Sequence, residues 1–227
     1  MPYNMKDEEE VKQFLENLGI EYRFACLKEK KPDGCHLLGD YLEAIRKDFR
    51  RAAQVYQDNC NERGHGHSCH KFGNYAYFGK GTPEDRAKSF EYQIKSCNAG
   101  YPKGCVMAGL HLTAEKGSGV PQDIEKGISL LKRACDMGSH DGCHQASGIC
   151  LTGRGVVAQN MKEAFELAVK GCDLGNIYSC HNVALMYERG TGVEKDKVKA
   201  EQYRSKVVDY KEQCKSNYTL KMEEGID

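Results

Sequence analysis

The sequence has no excess of charge of either sign, since its 33 lysines and arginines balance 33 aspartates and glutamates. Binding to nucleic acid or to an anionic membrane through overall charge requires a broad positive field, so the composition favours neither partner. No apolar run approaches the roughly 20 residues of a membrane-spanning helix, so we expect no membrane span. At 227 residues, 40% of them hydrophobic, the chain is long enough for one large domain or two small ones.

The first ten residues also lack a recognisable targeting signal. Four acidic residues, Asp7 to Glu10, stand where a secretory signal would have an apolar core and where a matrix presequence would be rich in arginine. We therefore expect no cleavable leader.

Cysteine, in contrast, is abundant, and its spacing is regular. Ten of the twelve cysteines fall into five pairs whose members are eight or nine residues apart: Cys26 and Cys35, Cys60 and Cys69, Cys97 and Cys105, Cys135 and Cys143, Cys172 and Cys180. The first members of successive pairs are 34, 37, 38 and 37 residues apart. Such a near-constant period indicates an internal repeat one helical hairpin long.

The separation within each pair predicts a turn. On one continuous helix, two cysteines eight residues apart would be about 12 Å apart, whereas a disulfide requires Cα atoms within about 7 Å. If the pairs are bonded, the chain must reverse between them, and the intervening segments 98–104 and 136–142 are rich in glycine, asparagine and aspartate. Each pair would then join the end of one helix to the start of the next.

The segments between the pairs have the spacing of helices. On one predicted helix the apolar residues recur every three or four positions, namely Met161, Ala164, Phe165, Ala168, Val169 and Cys172. Gly-x-Gly sequences stand at the turns that carry no cysteine pair, at 117–119, 153–155 and 190–192, and less completely at 79–82. In each, the first glycine suits a left-handed helix C-cap and the second a turn into the next helix.

These patterns predict an all-α solenoid of helix A, glycine turn, helix B and cysteine turn. We expect one solenoid domain over 1–227 that begins with an N-terminal helical hairpin as a cap over 7–31. Five repeats follow at 33–62, 67–99, 103–137, 141–174 and 178–212, and then a polar C-terminal tail at 213–227.

Short sequences at equivalent places in the repeats point to a known family. Leu38–Tyr41, Phe72–Tyr75 and Ala184–Tyr187, the last followed by Glu188–Val193, resemble the Sel1-like repeat. The fixed cysteine pairs resemble the cysteine-rich subgroup of that family. The resemblance implies a right-handed α-solenoid of about five Sel1-like (TPR-like) helix pairs, cross-linked by disulfides.

The N-terminal half carries a more specific resemblance. Asp7–Asn17, Pro32–Cys35 and Asp40–Lys47 are similar to the cytochrome c oxidase assembly factor seven family of animals. That resemblance implies residence in the mitochondrial intermembrane space and import by the oxidative machinery that traps cysteines. It also implies a role in building the terminal oxidase, complex IV, with oxidase subunits or copper- or haem-delivery factors as protein clients.

Two functions from different classes remain open. One is a protein-binding scaffold, in which helix A residues such as Asn74, Tyr75, Tyr77, Asn182 and Tyr187 line a client groove, with a place in the core as the alternative for several of the tyrosines. The other, implied by the family, is a haem-binding thiol-disulfide reductase that acts on its client. The sequence favours the scaffold, and a conventional enzyme is not expected. Ser129 and Lys132 match Ser-x-x-Lys, but the motif lies inside a helix without its Ser-Asp-Asn and Lys-Thr-Gly companions.

The ten paired cysteines are interpreted as structural disulfides, each closing a short loop that is worth about 2.5 to 3 kcal/mol. Their spacing suits neither a zinc knuckle nor a thioredoxin-like centre, both of which need closer cysteines. Cys150 and Cys214 remain as possible free thiols. Cys150 shares a helix face with Cys143, so we expect it to be buried, whereas Cys214 lies near the polar end and is the more accessible nucleophile.

Histidine offers the other candidate sites. Four histidines directly follow the second cysteine of a pair and are predicted to occupy a repeated surface position: His36, His70, His144 and His181. His65, His67 and His70 form a His-x-His-x-x-His cluster in a turn, which would either hold a metal ion or be solvated. Covalent haem is not expected because there is no Cys-x-x-Cys-His. For non-covalent haem the candidate axial ligands are His111 and Met107, one helical turn apart.

Overall fold

The computed structural model describes residues 3–4 and 6–223, with side chains up to residue 212. This part of the chain contains eleven α-helices and no β-strand. Their bounds are α1 Glu8–Leu27, α2 Pro32–Ala44, α3 Phe49–Arg63, α4 Gly66–Phe78, α5 Arg86–Asn98, α6 Pro102–Thr113, α7 Ile124–Asp136, α8 His140–Thr152, α9 Met161–Asp173, α10 Ile177–Arg189 and α11 Lys197–Glu223. None of these helices combines the length and the apolar character that crossing a membrane requires.

The helices group into two compact units where the sequence predicts a single domain. The first unit contains α1–α6 and the second contains α7–α11, with the boundary between Gln122 and Asp123. The boundary falls at the end of residues 114–123, the longest segment between any two of the described helices. Within each unit, helices that follow one another along the chain pack against one another.

Five disulfides close the short turns, in the pairing that the sequence predicts. They connect α1 to α2, α3 to α4, α5 to α6, α7 to α8 and α9 to α10, with Cα–Cα separations of 4.3 to 4.7 Å. All ten cysteines are buried. The predicted fold class, all-α helix pairs cross-linked by disulfides, is confirmed.

An aspartate or asparagine begins every helix B. In each case its side chain accepts a hydrogen bond from the backbone N–H three residues later, at 2.8 to 3.1 Å. These N-caps satisfy N–H groups that the first turn of a helix leaves unpaired. The residues are Asp48, Asp85, Asp123, Asn160 and Asp196.

The glycine turns end helices as predicted in two cases. Gly79 and Gly190 are C-caps in the left-handed conformation, with φ of 66° and 77°. Gly153 is also a C-cap with positive φ, but its ψ of 156° lies outside the left-handed helical region. Gly117 is not a C-cap, because α6 ends earlier, at Thr113. The C-cap of α6 is Ala114, which has an extended backbone conformation.

The predicted N-terminal hairpin over 7–31 is wrong, because α1 is one continuous helix. Its only internal glycine, Gly19, does not interrupt it. A Cβ at that position would lie 2.5 Å from Cζ of Tyr41, so the glycine allows α2 to pack closely against α1. At the other end, α11 runs to Glu223, beyond the boundary at residue 212 between the last predicted repeat and the tail.

A polar groove as the candidate functional site

The first unit contains a groove of about 310 Å³ lined by charged, amide and aromatic side chains. Most of the lining comes from α4, with contributions from the end of α2, the turn after α4 and the start of α6. The lining residues are Glu43, His67, His70, Lys71, Asn74, Tyr75, Phe78, Lys80, Tyr101 and Lys103.

Two lysines and two carboxylates form a fixed ionic network along one side of this groove. Glu43 accepts hydrogen bonds from Lys71 at 2.9 Å and from Lys80 at 2.7 Å, and Lys71 lies 3.1 Å from Asp40. Burial acts to raise the pKa of Glu43, but the bonds from Lys80 and Lys71 outweigh it and lower that pKa to about 2. The groove therefore carries localised charges of both signs at neutral pH.

Lys71 stays protonated for the reciprocal reason. Partial burial acts to lower its pKa, yet its hydrogen bonds to Glu43 and Asp40 raise that pKa above the usual value. The pKa of Asp40 is lowered. Burial acts to raise it, but the hydrogen bonds that Tyr56 and Lys71 donate to the charged carboxylate outweigh burial. These ion pairs join α2 to α4.

A closed ring of three hydrogen bonds holds His70. Nδ1–H of His70 donates to Oε1 of Gln93 at 2.8 Å, and Nε2 of Gln93 donates to Oδ1 of Asn74 at 2.9 Å. The Asn74 amide then donates to Nε2 of His70 at 3.1 Å. Burial lowers the pKa of His70. With both ring nitrogens engaged, His70 is a neutral, structural member of the groove wall.

His36 is buried, so its predicted surface position is wrong. Only 7% of the residue is exposed, and the ring centroid of His67 lies 3.9 Å from its own. Its Nδ1 bonds Ser68 Oγ at 3.1 Å, while its Nε2 lies 3.4 Å from Asp40 but has no hydrogen-bond partner in the described part of the chain. Burial first, and then the neighbouring His67, lower the pKa of His36 to about 4.

The other three histidines of that register differ from His36 and from one another. His70 and His144 are half-buried, and His181 is exposed. The surface interpretation therefore describes only His181. The histidines that cover His36 come from the start of α4, where His65, the N-cap, and His67, in the first turn, both lie against its ring.

The His65, His67 and His70 cluster does not have the geometry of a metal site. Nδ1 of His65 accepts from the Ser68 backbone at 3.2 Å, and its Nε2 lies 3.2 Å from Asp33. Both ring nitrogens of His70 are engaged by Gln93 and Asn74. Of the three histidines, only His67 is then left to bind a metal, and one ligand does not make a site. Among the residues that the structure describes, no group of three histidine, cysteine, aspartate or glutamate side chains is placed to hold a metal ion.

The proposed haem ligands do not fit an axial pair. His111 is 4% exposed, its Nδ1–H donates to the Ser118 carbonyl at 2.8 Å, and its Nε2 faces the Ser89 hydroxyl at 3.3 Å. Both nitrogens are therefore occupied by protein groups. Met107 is half-buried one turn earlier on α6.

Cys150 is a free thiol with 2% exposure, in line with its expected burial. Burial first, and then the nearby Glu163 carboxylate, raise its pKa, so little thiolate forms at neutral pH. Cys214 lies in the part of α11 whose side chains are not described. Lys132 of the Ser-x-x-Lys match pairs with Glu163 at 2.5 Å, and Ser129 is exposed on α7.

The structure brings together only some of the predicted groove residues. Asn74 and Tyr75 line the groove, but Tyr77 packs edge-on against His111. Tyr187, in the second unit, packs between Phe165 and Tyr203, and Asn182 is half-buried there. The sequence interpretation missed the charged members, above all Glu43 and its two lysines, because nothing in their local spacing distinguishes them from solvated surface residues.

The comparisons with known proteins agree with this architecture. Residues 67–101, 102–139, 140–176 and 177–203 each match the Sel1 repeat. The chain belongs to the Sel1 repeat family. The matched segments start at residue 67, so the predicted repeat over 33–62 lies before them. The α2–α3 pair there has the same cysteine connection to its neighbours as the matched repeats.

Curated relatives of this Sel1 repeat chain carry a consistent name. It is 46% identical over 118 residues to the "Cytochrome c oxidase assembly factor 7 homolog" of Drosophila melanogaster, over 51% of this chain and 44% of that protein. "Cytochrome c oxidase assembly factor 7" of Xenopus tropicalis is 50% identical over 44% of each chain, and that of Homo sapiens is 53% identical over 34% of each. The predicted resemblance is confirmed. The aligned segment spans less than half the length of these relatives.

Two solved structures share the fold of this Sel1 repeat chain. A protective antigen of uropathogenic Escherichia coli strains that displays an SLR fold superposes with a TM-score of 0.74 at 19% identity, over 89% of this chain and 48% of that one. A Sel1 repeat protein of Oxalobacter formigenes gives a TM-score of 0.66 at 20% identity, over 77% and 68% of the two chains.

Proposed function

We propose that this chain is an assembly factor for cytochrome c oxidase that acts by binding a protein client. The observation that carries the proposal is the 46 to 53% identity to relatives named cytochrome c oxidase assembly factor 7. The clients are oxidase subunits or the factors that deliver copper or haem to them. The role is that of a scaffold, since Cys150, the free thiol among the described side chains, is buried and has a raised pKa.

The groove of the first unit is the proposed client site. Its ionic and amide networks hold its polar side chains in place before any client arrives, which lowers the entropy cost of binding. Phe78, 73% exposed, stands at the edge of the groove as an anchor for an apolar client residue. Exposed aromatic side chains of this kind often dominate the binding energy of an interface.

The proposed location is the mitochondrial intermembrane space, entered through the oxidative import machinery. Five structural disulfides support an oxidising compartment, since reducing cytosol does not maintain them. Fractionation of the tagged chain, with thiols trapped at lysis, tests this directly. We expect intermembrane-space fractions in which only Cys150 and Cys214 become labelled after denaturation; labelling of the paired cysteines would contradict the proposal.

The function itself is tested by complementation. Animal cells lacking their own assembly factor 7 should regain cytochrome c oxidase activity when they express this chain. Phe78→Ser should reduce that recovery severalfold, because it removes the exposed anchor of the groove without touching the core. Tyr178→Ser is the matched control, since Tyr178 is 68% exposed on α10 in the second unit. Failure of the unaltered chain to restore any activity would overturn the proposed function, and equal recovery by both variants would overturn the groove assignment.

A further inference from the structure

One face of α1 exposes three large apolar side chains. Ile20, Phe24 and Leu27 are 63%, 58% and 62% exposed. Their spacing of four and three residues places them on one side of the helix. The opposite side of α1 packs on α2, where Gly19 faces Tyr41 and Cys26 bonds Cys35. Scattered exposed apolar residues are ordinary in soluble proteins, but three in one row on a helix form a contact surface.

Beside this row lies a pocket of about 450 Å³ that contains three arginines. Arg23 comes from α1, Arg46 from the turn after α2, and Arg51 from α3. Ile20 lines the same pocket, so the row and the pocket are continuous. Arg51 pairs with Asp48 at 3.1 Å, whereas Arg23 and Arg46 form no ion pair with the described residues.

The surroundings of the pocket add further positive charge. Residues 46–51 contain four basic side chains and one acidic one. Within the pocket, the three arginines face the carboxylates of Glu16 and Asp48. A guanidinium presents donors in a planar fork that matches the oxygens of a phosphate, so the two unpaired arginines suit a phosphodiester ligand.

We propose that the α1 patch, comprising Ile20, Phe24 and Leu27 with Arg23 and Arg46, binds the surface of an anionic phospholipid membrane. The three apolar side chains enter the boundary between headgroups and acyl chains, as in helices that lie in a membrane interface. The arginines contact lipid phosphates, and their aliphatic stems extend along the apolar row.

A lipid fits this patch better than an acidic protein helix does. The pocket has a volume of about 450 Å³, with Tyr41 and Leu42 in its lining, which matches a single headgroup better than an extended segment. Its lining shares no residue with the client groove, so a client and a membrane can be bound together. The inference stands independently of the proposed function.

The test is co-sedimentation of the full chain, with its disulfides intact, with two kinds of vesicle. One kind is phosphatidylcholine alone, and the other contains an equal amount of phosphatidylglycerol. We expect binding to the anionic vesicles only, weakened by added salt. The double variant Arg23→Gln with Arg46→Gln should reduce the partition coefficient about tenfold or more, and Ile20→Ser with Phe24→Ser should reduce it comparably.

Lys195→Gln with Val198→Ser supplies the matched control, since both residues are exposed in the second unit. It should bind as the unaltered chain does, and circular dichroism should be the same for all variants. Binding to neither vesicle, equal binding to both, or equal losses in control and patch variants would overturn the proposal. So would an acidic amphipathic peptide that binds the patch in solution while anionic vesicles fail to displace it.

Discussion

The hydroxyl of Tyr56 donates a 2.6 Å hydrogen bond to Oδ1 of Asp40 and so joins α3 to α2 beneath the ionic network of the groove. Tyr56 is fully buried, and burial together with the Asp40 carboxylate raises the pKa of its phenol. The bond is therefore made by a neutral phenol to a charged acceptor, which is a stronger arrangement than a neutral pair. Lys71 pairs with the same Asp40 carboxylate that accepts the Tyr56 hydrogen bond.

Tyr56→Phe removes this bond and keeps the packing of the ring. We expect a loss of about 1.5 to 3 kcal/mol in the free energy of unfolding, the usual value of a hydrogen bond to a charged group. Urea unfolding with disulfides intact measures it. Tyr178→Phe, at an exposed phenol on α10, should change the midpoint negligibly. Equal midpoints for the two variants would mean that the Tyr56–Asp40 bond does not stabilise the fold.

The buried His36 predicts how stability depends on pH. Its pKa is about 4 in the folded chain against 6.5 as the ordinary value, so the unfolded chain binds more protons between these two pH values. Stability should therefore fall as the pH drops from about 6.5 towards 4, by on the order of 3 kcal/mol from this group alone. Below that, Glu43, whose pKa is lowered from 4.5 to about 2, adds a further loss in the same direction.

Urea midpoints measured across this pH range test the assignment to His36. The other groups whose charges act on the pKa of His36 are His67, Asp40, His65 and Lys71. His36→Gln removes one titrating group and should flatten the slope between pH 6.5 and 4, while the exposed His181→Gln should leave it unchanged. An unchanged slope in His36→Gln would show that other groups control the acid loss.

The repeat was predictable from the sequence because its period and its cysteine spacing are set by local geometry. A disulfide at a separation of eight or nine residues requires a chain reversal, so Cys135 and Cys143 alone define a turn between two helices. The glycine turns were less predictable. Whether Gly117 caps a helix depends on where α6 ends, and α6 ends four residues before it.

The site was harder to predict because it depends on contacts between repeats. His36 and His181 each follow the second cysteine of a pair, so the sequence predicted the same surface environment for both. In the structure, His67 of the next repeat covers His36, whereas His181 is exposed. The His-x-His-x-x-His spacing likewise left a metal site and solvated histidines as alternatives, and neither anticipated that Asp33 and Gln93, distant in sequence, engage the ring nitrogens of His65 and His70. Composition could not predict the arginine pocket either, because a net charge of zero does not show where along the surface the positive charges cluster.

In two of the glycine turns the second glycine, Gly81 or Gly192, faces a backbone carbonyl so closely that two similar substitutions should differ sharply in their cost. A Cβ on Gly81 would lie 2.1 Å from the carbonyl oxygen of Phe49, the first residue of α3, whereas a Cβ on Gly64 would meet nothing within 4 Å. Their φ angles, 67° and 63°, are nearly the same. Gly64→Ala should therefore cost only the strain of a left-handed residue, about 1 to 2 kcal/mol.

Gly81→Ala adds a clash with backbone that cannot move without displacing α3, so we expect it to cost at least about 3 kcal/mol. Thermal unfolding of the two variants, with disulfides intact, gives the comparison. In the second unit, a Cβ on Gly192 would overlap the carbonyl oxygen of Met161 in the same way, so Gly192→Ala should behave like Gly81→Ala. Equal costs at positions 64 and 81 would contradict a role for this contact.

His111 provides the test of haem binding by the ligands that the sequence suggested. Because the Ser118 carbonyl and the Ser89 hydroxyl occupy its two nitrogens, His111→Ala should lower the free energy of unfolding by about 1 to 3 kcal/mol through unpaired buried groups. It should leave any Soret band that develops on titration with haem unchanged. Met107→Leu, which conserves volume, should alter neither measurement appreciably. Loss of the same haem spectrum in both variants, with folding retained, would contradict this reading of α6 and would make the two residues axial ligands.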